Sequence, residues 1–151
     1  MELLAQAQQF ISLGRWNKEL SETKQQQQDL GPREKFILSA NKGKILASKC
    51  LKCGHAMLET VYFCDKCFGS KFESVEFEGI GKIVTYTIQA VVPEGFEDTE
   101  SYAWAIFKID NAPFRASGFL SGITSPKDLP IGTKVKVAGF DPKHGLLLQK
   151  L

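Results

Sequence analysis

The sequence predicts a mainly β protein with N-terminal helices, in which a zinc ribbon precedes a small five-stranded antiparallel barrel. Apolar residues at helical spacing occur in the N-terminal part of the 151-residue chain. All four cysteines fall in two close pairs, and the residues that follow alternate between apolar and polar, as strands do. These observations divide the chain into an N-terminal helical segment at residues 1–35, a zinc ribbon at residues 36–73 and a barrel at residues 74–151.

The N-terminal segment contains one amphipathic stretch and one polar stretch. Apolar residues recur at helical spacing between residues 3 and 13. Residues 17–30 are helix formers with little apolar content, typical of a solvated helix or of a tether that orders on a partner. The apolar side chains of the first helix are our candidates for a partner-binding surface, with packing on the barrel as the alternative. They are Leu3, Phe10 and Ile11.

The cysteines follow the spacing C-x2-C-x10-C-x2-C, which is typical of a zinc ribbon. A tight turn within each pair points both sulfurs at one ion, and two such turns complete a tetrahedron. Gly54 and Gly69, just after the pairs, are expected to adopt positive φ. Because sulfur fills every position, the metal is expected to be structural; redox disulfides and a rubredoxin-type iron centre remain the alternatives. The predicted zinc ligands are Cys50, Cys53, Cys64 and Cys67.

The C-terminal part predicts five strands, at about residues 81–92, 102–109, 114–120, 134–140 and 146–151. Their hairpin-rich order, without a helical repeat, favours a small barrel. Gly79-Ile-Gly81 is a weak match to a phosphate loop and is better explained as a bend that enters the barrel. Four aromatic residues are expected in the barrel core: Tyr86, Trp104, Phe107 and Phe119.

Charge is unevenly distributed, although the net charge of the chain is only +2. Residues 35–71 carry seven basic and two acidic side chains, whereas residues 72–151 carry eight basic and ten acidic ones. Four thiolates on one Zn²⁺ leave the ribbon segment at about +3, so an anion-binding surface is expected near the ribbon.

Several kinds of location are disfavoured by the sequence. No apolar run approaches the ~20 residues that a membrane helix needs, so no membrane partner is expected. The first ten residues lack the basic and apolar regions of a secretory signal. Clustered cysteines in a chain without an export signal favour metal binding over disulfides, and we expect a cytoplasmic location.

The sequence predicts no active site of its own. Nucleophilic catalysis needs a thiol or hydroxyl close to a general base, but the cysteines are assigned to metal and both histidines, His55 and His144, lie in turns. His55 is superfluous as a fifth ligand and is expected on the surface of the first cysteine turn. The acidic loop at residues 94–100 is expected to be solvated rather than catalytic.

From about Phe36 onward the two cysteine pairs occur together with three further segments. These are the strand Gly81-Lys-Ile-Val-Thr-Tyr-Thr-Ile, the loop Pro93-Glu-Gly-Phe96 and the segment Ile131-Gly-Thr-Lys-Val-Lys-Val. In this combination the chain resembles the zinc-ribbon plus OB-fold proteins of domain-of-unknown-function family thirty-five, which accompany thiolase-type enzymes acting on acyl-CoA. The chain departs from that pattern at residues 59–63, where relatives carry a Pro-Pro-Arg-type segment, and at Asp65, where they carry proline.

The resemblance implies a rubredoxin-like ribbon, an OB-fold barrel and a non-catalytic subunit. Its partner in a hetero-oligomer would be a thiolase-family or hydroxymethylglutaryl-CoA-synthase-like enzyme, which would supply the nucleophilic cysteine and the acid–base histidines. CoA or acyl-CoA bound together with that partner is a further expectation. The candidates for contacts with CoA phosphates are ribbon lysines, with a merely solubilising role as the alternative. They are Lys49, Lys52 and Lys66.

Two other functions are consistent with the same motifs. Ribbons and OB barrels often bind single-stranded nucleic acid, but that use needs a basic groove with exposed aromatic residues, and the acidic balance of the barrel half disfavours it. A redox carrier of rubredoxin type would be coloured, because an iron centre absorbs visible light and a zinc centre does not.

Overall fold

The computed structural model describes residues 30–58 and 61–151. One compact unit, Pro32–Leu151, contains the ribbon and the barrel. The helices predicted within residues 1–29, and with them the partner surface predicted at Leu3, Phe10 and Ile11, lie outside the described residues. Within the described part, no helix is long and apolar enough to cross a bilayer.

The described elements follow the predicted order of a helix, a ribbon sheet and a barrel. They are α1 (Pro32–Asn41), β1 (Lys44–Cys50), β2 (Ala56–Leu58), β3 (Phe72–Glu78), β4 (Ile80–Gln89), β5 (Tyr102–Ile109), β6 (Arg115–Ser121), a 3₁₀ turn (Pro126–Asp128), β7 (Lys134–Asp141) and β8 (Gly145–Lys150). The predicted fold class, mainly β with a zinc ribbon followed by an OB-fold barrel, is confirmed.

Helix α1 lies between the ribbon and the barrel. Pro32 occupies its first position, where the missing N–H has no partner to lose, and Gly43, at φ 75°, follows its end. Phe36 meets the ring of Phe140 edge-on at 6.4 Å. Asn41 Oδ1 accepts the Phe140 N–H at 3.0 Å, so the helix is tied to barrel strand β7 at two points.

The ribbon is a three-stranded antiparallel sheet in the order β2–β1–β3. Strands β1 and β3 pair over their whole length, from Lys44 opposite Glu78 to Cys50 opposite Phe72. Strand β1 is buried near its N-terminal end, where Ile45 is fully enclosed in the main core. The same strand therefore connects the main core to the first cysteine.

Five strands close into the barrel in the order β4–β5–β6–β8–β7, with β7 paired back to β4. Alternate residues of each strand face the interior, as the period of two requires. The core is filled by aliphatic side chains around one large ring, and its largest fully buried members are Ile45, Ile83, Phe107, Ile109, Ile123, Leu129 and Val135.

Only part of the predicted aromatic core lies inside the barrel. Phe107 is fully buried there, and Tyr86 packs against it partly exposed. Trp104 lies between the inward-facing Ala103 and Ala105, so it faces outward, as does its cross-strand partner Phe119. Phe119 is nevertheless only 5% exposed, because the rings of Tyr102, Trp104 and His144 pack against it.

Gly79 joins the ribbon to the barrel at the predicted bend. Its N–H donates to Gly43 O at 3.0 Å, and its carbonyl accepts the Val137 N–H at 2.7 Å. A Cβ at this position would lie 2.5 Å from Gly43 O and 2.7 Å from Val137 Cβ, so only glycine fits. The edge contact of Phe77 with Phe114, at 5.5 Å between ring centroids, ties the two sheets together beside it.

Candidate metal centre and its surroundings

The two cysteine pairs are carried by turns with the same hydrogen bonds, which we call knuckles. In the first knuckle, the Cys50 N–H donates to His55 O at 2.8 Å and the Gly54 N–H donates to Cys50 O at 2.8 Å. In the second, the Cys64 N–H donates to the carbonyl five residues later at 2.9 Å, and the Phe68 N–H donates to Cys64 O at 2.9 Å. Each knuckle thus reverses the chain within five residues.

The residue with positive φ occupies the same place in both knuckles, but its identity differs. Gly54 has φ 73°, as predicted, whereas in the second knuckle Phe68 has φ 56°. The prediction of positive φ at Gly69 is therefore wrong. Glycine there avoids tight contacts, because a Cβ would lie 3.3 Å from Cys50 Sγ and 3.4 Å from Cys67 Sγ.

The four cysteine sulfurs all lie within 4.8 Å of one another. The Sγ atoms of Cys50 and Cys67 are 3.6 Å apart, and those of Cys53 and Cys64 are 3.5 Å apart. A tetrahedron with Zn–S bonds of about 2.3 Å has edges of about 3.8 Å, whereas a disulfide requires about 2.05 Å. The distances therefore suit four ligands around one ion and do not suit two disulfides.

The sulfurs cannot all ionise without a cation between them. The N–H groups of Cys53 and Lys52 lower the pKa of the Cys50 thiol to about 7, despite its burial. The His55 N–H favours the thiolate of Cys53, but desolvation and the three neighbouring sulfurs outweigh it and raise the pKa of Cys53 to about 12. A divalent ion would remove this repulsion, and a set of four thiolates suits zinc. Bound zinc would hold the knuckles together, with no coordination position open to substrate.

His55 lies beside the sulfurs and pairs with a residue of the other knuckle. Its Nε2 is 3.2 Å from Asp65 Oδ1, and its side chain is 20% exposed. The group of metal-binding side chains consists of the cysteines, without His55. Asp65 therefore adds a second link between the knuckles.

Two of the three lysines predicted to bind CoA phosphates face the same cleft. Lys49 and Lys66 line a space of about 670 Å³ between ribbon and barrel, together with His55 and Asn111. Lys52 lines a different hollow of about 350 Å³. Lys49 is also 3.5 Å from a carboxylate oxygen of Glu73, so an anion in the cleft would share this ammonium group.

A group of ring side chains, which we call the outer aromatic cluster, lies at the end of the barrel away from the ribbon–barrel cleft. Its composition was not predicted. It consists of Phe96, Tyr102, Trp104, Phe119 and His144. The His144 ring lies 4.5 Å from the Phe119 centroid and 5.4 Å from that of Phe96. A turn around His144, at residues 141–145, was predicted from the sequence, but its contact with the loop before β5 is long-range and left no local signal.

Within this cluster, His144 links an aspartate to a threonine. Its Nδ1 is 2.7 Å from Asp141 Oδ2, and its Nε2 is 3.3 Å from Thr99 Oγ1. The order of groups is that of a catalytic triad, but the distance to the hydroxyl exceeds the ~2.6–3.2 Å typical of a nucleophile and its base. Because the imidazole is packed between two phenyl rings, we interpret the arrangement as a clamp that holds the β4–β5 loop on the barrel.

A four-sulfur centre on a ribbon that precedes a closed five-stranded barrel defines a zinc-ribbon OB-fold protein. Two adjacent family models match the chain: the rubredoxin-like zinc ribbon domain of ChsH2 at residues 39–73 and the C-terminal OB-fold domain of ChsH2 at residues 74–140. Together they cover more than half of the chain, which belongs to the DUF35 family of ChsH2-like proteins.

Curated relatives share its sequence at low identity. A DUF35 domain-containing scaffold protein of Pyrococcus furiosus is 29% identical over 114 residues, 71% of this chain and 79% of the relative. One of Methanocaldococcus jannaschii is 29% identical over 93 residues, 61% of this chain. The match spans 64% of the length of that second relative, less than two thirds of it.

Two solved structures share its fold. A chain of the Ltp2-ChsH2(DUF35) aldolase superposes with a TM-score of 0.62 at 18% identity, covering 81% of this chain and 97% of that one. A DUF35 protein of unknown function from Sulfolobus solfataricus superposes with a TM-score of 0.56 at 24% identity, covering 91% and 98%.

Proposed function

We propose that the chain is a non-catalytic, zinc-containing subunit that binds a thiolase-type or hydroxymethylglutaryl-CoA-synthase-like enzyme and supports its acyl-CoA chemistry. One observation carries the proposal. The only four cysteines of the chain converge on a single centre, so its thiols are engaged in structure rather than in acyl transfer. The scaffold names of the relatives and the aldolase that contains a ChsH2 chain support the same role.

The partner would provide the nucleophilic cysteine and the acid–base groups. This chain would offer a rigid surface, because zinc holds the knuckles and Gly79 fixes the ribbon against the barrel. It would also offer the ribbon–barrel cleft, in which Lys49 and Lys66 could contact the phosphates of CoA. Glu76 lines the same cleft and Glu73 pairs with Lys49, so phosphate binding there would need further cations from the partner.

Co-expression with the thiolase-family enzymes of the same genome tests the proposal. We expect one of them to co-elute with this chain in size-exclusion chromatography at a fixed ratio. The chain alone should show no thiolysis or condensation of acyl-CoA, whereas the complex should. Turnover by the isolated chain, or failure of all these enzymes to form a complex, would contradict the proposal.

The contribution of the cleft can be measured in the same complex. The double variant Lys49→Ala, Lys66→Ala should raise the KM for CoA about tenfold, which corresponds to about 1.4 kcal/mol for the pair. The full strength of a charge-assisted hydrogen bond, roughly 1.5–3 kcal/mol, is not expected from either lysine, because solvent screens an open cleft and Glu73 shares the Lys49 ammonium group. The variant Lys127→Ala, an exposed lysine in the 3₁₀ turn, is the matched control and should leave the KM unchanged. An unchanged KM in the double variant would assign CoA binding to the partner alone.

A second candidate function, binding of single-stranded nucleic acid, is favoured by one observation. Four exposed cations occupy one row across four strands of the barrel, with Lys134 opposite Lys82, Lys82 opposite Lys108 and Lys108 opposite Arg115. We call them the cation row. It spans roughly 14 Å at the usual strand spacing of about 4.8 Å. None of its members forms an ion pair with a carboxylate of residues 30–58 or 61–151.

Other features of that barrel face oppose nucleic-acid binding. OB-folds bind oligonucleotides with their second and third strands and the adjoining loops, but here the loop between β4 and β5 carries acidic residues at 94, 97, 98 and 100. Trp104 packs edge-on against Phe119 at 5.8 Å instead of lying free for stacking. Titration with labelled single strands at low salt decides between the functions: micromolar, steeply salt-dependent binding that is lost in Lys108→Glu would favour the second.

A further inference from the structure

Phe68 adopts a backbone conformation that suits glycine. It has φ 56° and makes the same knuckle hydrogen bond, at 2.9 Å, that Gly54 makes at 2.8 Å with φ 73°. Positive φ is uncommon for residues other than glycine and is an outlier for a bulky side chain. The first knuckle shows that glycine can build the turn. Phenylalanine at position 68 therefore strains the second knuckle without being required by its hydrogen bonds.

The side chain of Phe68 contributes little to the stability of the fold. It is 80% exposed, so burial of the ring does not offset the strain. Within the described residues, its ring forms none of the aromatic pairs that hold Phe77, Phe114 and the outer cluster. Strained residues that the fold itself does not require are concentrated at binding sites.

Leu51, which directly follows Cys50 in the first knuckle, is a second apolar residue that is largely exposed, at 59%. A hollow of about 350 Å³ separates the knuckles; it is lined by Leu51, by Gly69 next to Phe68, and by Lys52 and Lys71. The Leu51 N–H donates to Lys71 O at 3.0 Å, which fixes this wall. We call Leu51, Phe68, Lys52 and Lys71 the docking tip.

We propose that the docking tip inserts Phe68 and Leu51 into an apolar pocket, rimmed by carboxylates, on the enzyme subunit that the chain binds. The inference rests on the proposed function and names the surface that carries it. The backbone of each apolar residue is fixed by a hydrogen bond, from Leu51 N–H to Lys71 O and from Phe68 N–H to Cys64 O, so binding would order only the side chains. Lys52 and Lys71 form no ion pair within the described part of the chain, which leaves their charges for carboxylates of the partner.

The shape of the docking tip favours a protein over a flat surface. The hollow between the knuckles can receive a side chain from a complementary protein surface, whereas a bilayer would span it. Anionic vesicles are therefore the second arm of the test. Binding of the wild-type chain to vesicles of phosphatidylcholine with phosphatidylserine, lost in Phe68→Gly, would overturn the proposal in favour of a lipid surface.

The test combines stability and binding, which should change in opposite directions. In the zinc-loaded chain, Phe68→Gly relieves the strain and should raise the melting temperature by about 2–4 °C. The reverse substitution at the matched position, Gly54→Ala, meets no atom within 4 Å and should lower it by about as much, through φ alone. Phe68→Asn, which tolerates positive φ, removes the ring without adding glycine's freedom.

Affinity for the enzyme subunit, measured by titration calorimetry, completes the test. Phe68→Gly and Phe68→Asn should each weaken binding at least tenfold. Val91→Ala should leave it unchanged, because that side chain is 84% exposed on a barrel loop and lies outside the docking tip. Equal affinity of the wild type and Phe68→Gly would overturn the inference while leaving the proposed function intact. A wild-type chain that binds no thiolase-type subunit would instead overturn the proposed function, and this inference with it.

Discussion

Substitution of Gly79 by alanine should loosen the attachment of the ribbon to the barrel. The added Cβ would lie 2.5 Å from Gly43 O, and 2.7 Å and 2.8 Å from Cβ and Cγ2 of Val137. These neighbours are backbone or the stiff branch point of a valine, so none can rotate away. Relief requires the strand junction itself to shift by roughly 0.5–1 Å, because carbon atoms normally stay at least about 3.4 Å apart.

The size of the effect follows from what such a shift breaks. The Gly79 N–H bond to Gly43 O, at 3.0 Å, and the Val137 N–H bond to Gly79 O, at 2.7 Å, both pass through the junction. Overpacking costs about 1–3 kcal/mol, and a weakened hydrogen bond adds about 1 kcal/mol. We expect the free energy of unfolding to fall by about 2–4 kcal/mol.

Urea denaturation followed by tryptophan fluorescence measures this loss. Gly122→Ala is the matched control: its Cβ would meet no atom within 4 Å, and only its φ of 71° opposes alanine. It should cost about 1 kcal/mol. If Gly79→Ala unfolds within about 0.5 kcal/mol of the wild type, the ribbon and barrel are not fixed at this glycine and the rigid-surface argument is wrong.

Three further predictions concern the metal, the acid range and the cation row. Cys64→Ser should abolish zinc binding, worth on the order of 10–16 kcal/mol in small zinc peptides, and hydrogen exchange should show unprotected knuckles while the β5 amides stay protected. The Thr124 hydroxyl, with the N–H groups of Ser125 and Thr124, lowers the pKa of Asp128 from 3.8 to about 2. Its contribution to stability is therefore complete above pH 3.8 and is lost as the pH falls towards 2, so acid unfolding of Asp128→Asn should lack that component. Lys108→Gln, in the middle of the cation row, should stabilise the chain by a few tenths of a kcal/mol at low salt and by less at high salt; a salt-independent effect would show that the row is not repulsive.

The architecture could be predicted from the sequence because its determinants are local. The spacing of the cysteines fixes where two knuckles meet, and alternation after Ser74 marks strands whose observed order closes the barrel. The position of Phe68 was also available: it follows Cys64 by four residues, as Gly54 follows Cys50. Because a glycine follows one residue later, positive φ was expected at Gly69 instead of Phe68.

Features that depend on long-range pairing could not be predicted. Trp104 was expected in the core together with the other aromatic residues of the alternating strands, although its position between Ala103 and Ala105 places it outside. The burial of its cross-strand partner Phe119 depends in part on His144, which is distant in sequence. The cation row likewise depends on the register of four strands, since its members are spread from Lys82 to Lys134. Neither arrangement has a signature in a short window of sequence.

Native mass spectrometry of the chain, co-expressed with a thiolase-type enzyme and purified without reductant, tests the central claim most directly. The account predicts a hetero-complex that holds one zinc ion for each copy of this chain, with all four of its cysteines free of disulfides. A metal-free chain with two disulfides that enters no complex would contradict both the metal centre and the role assigned to it.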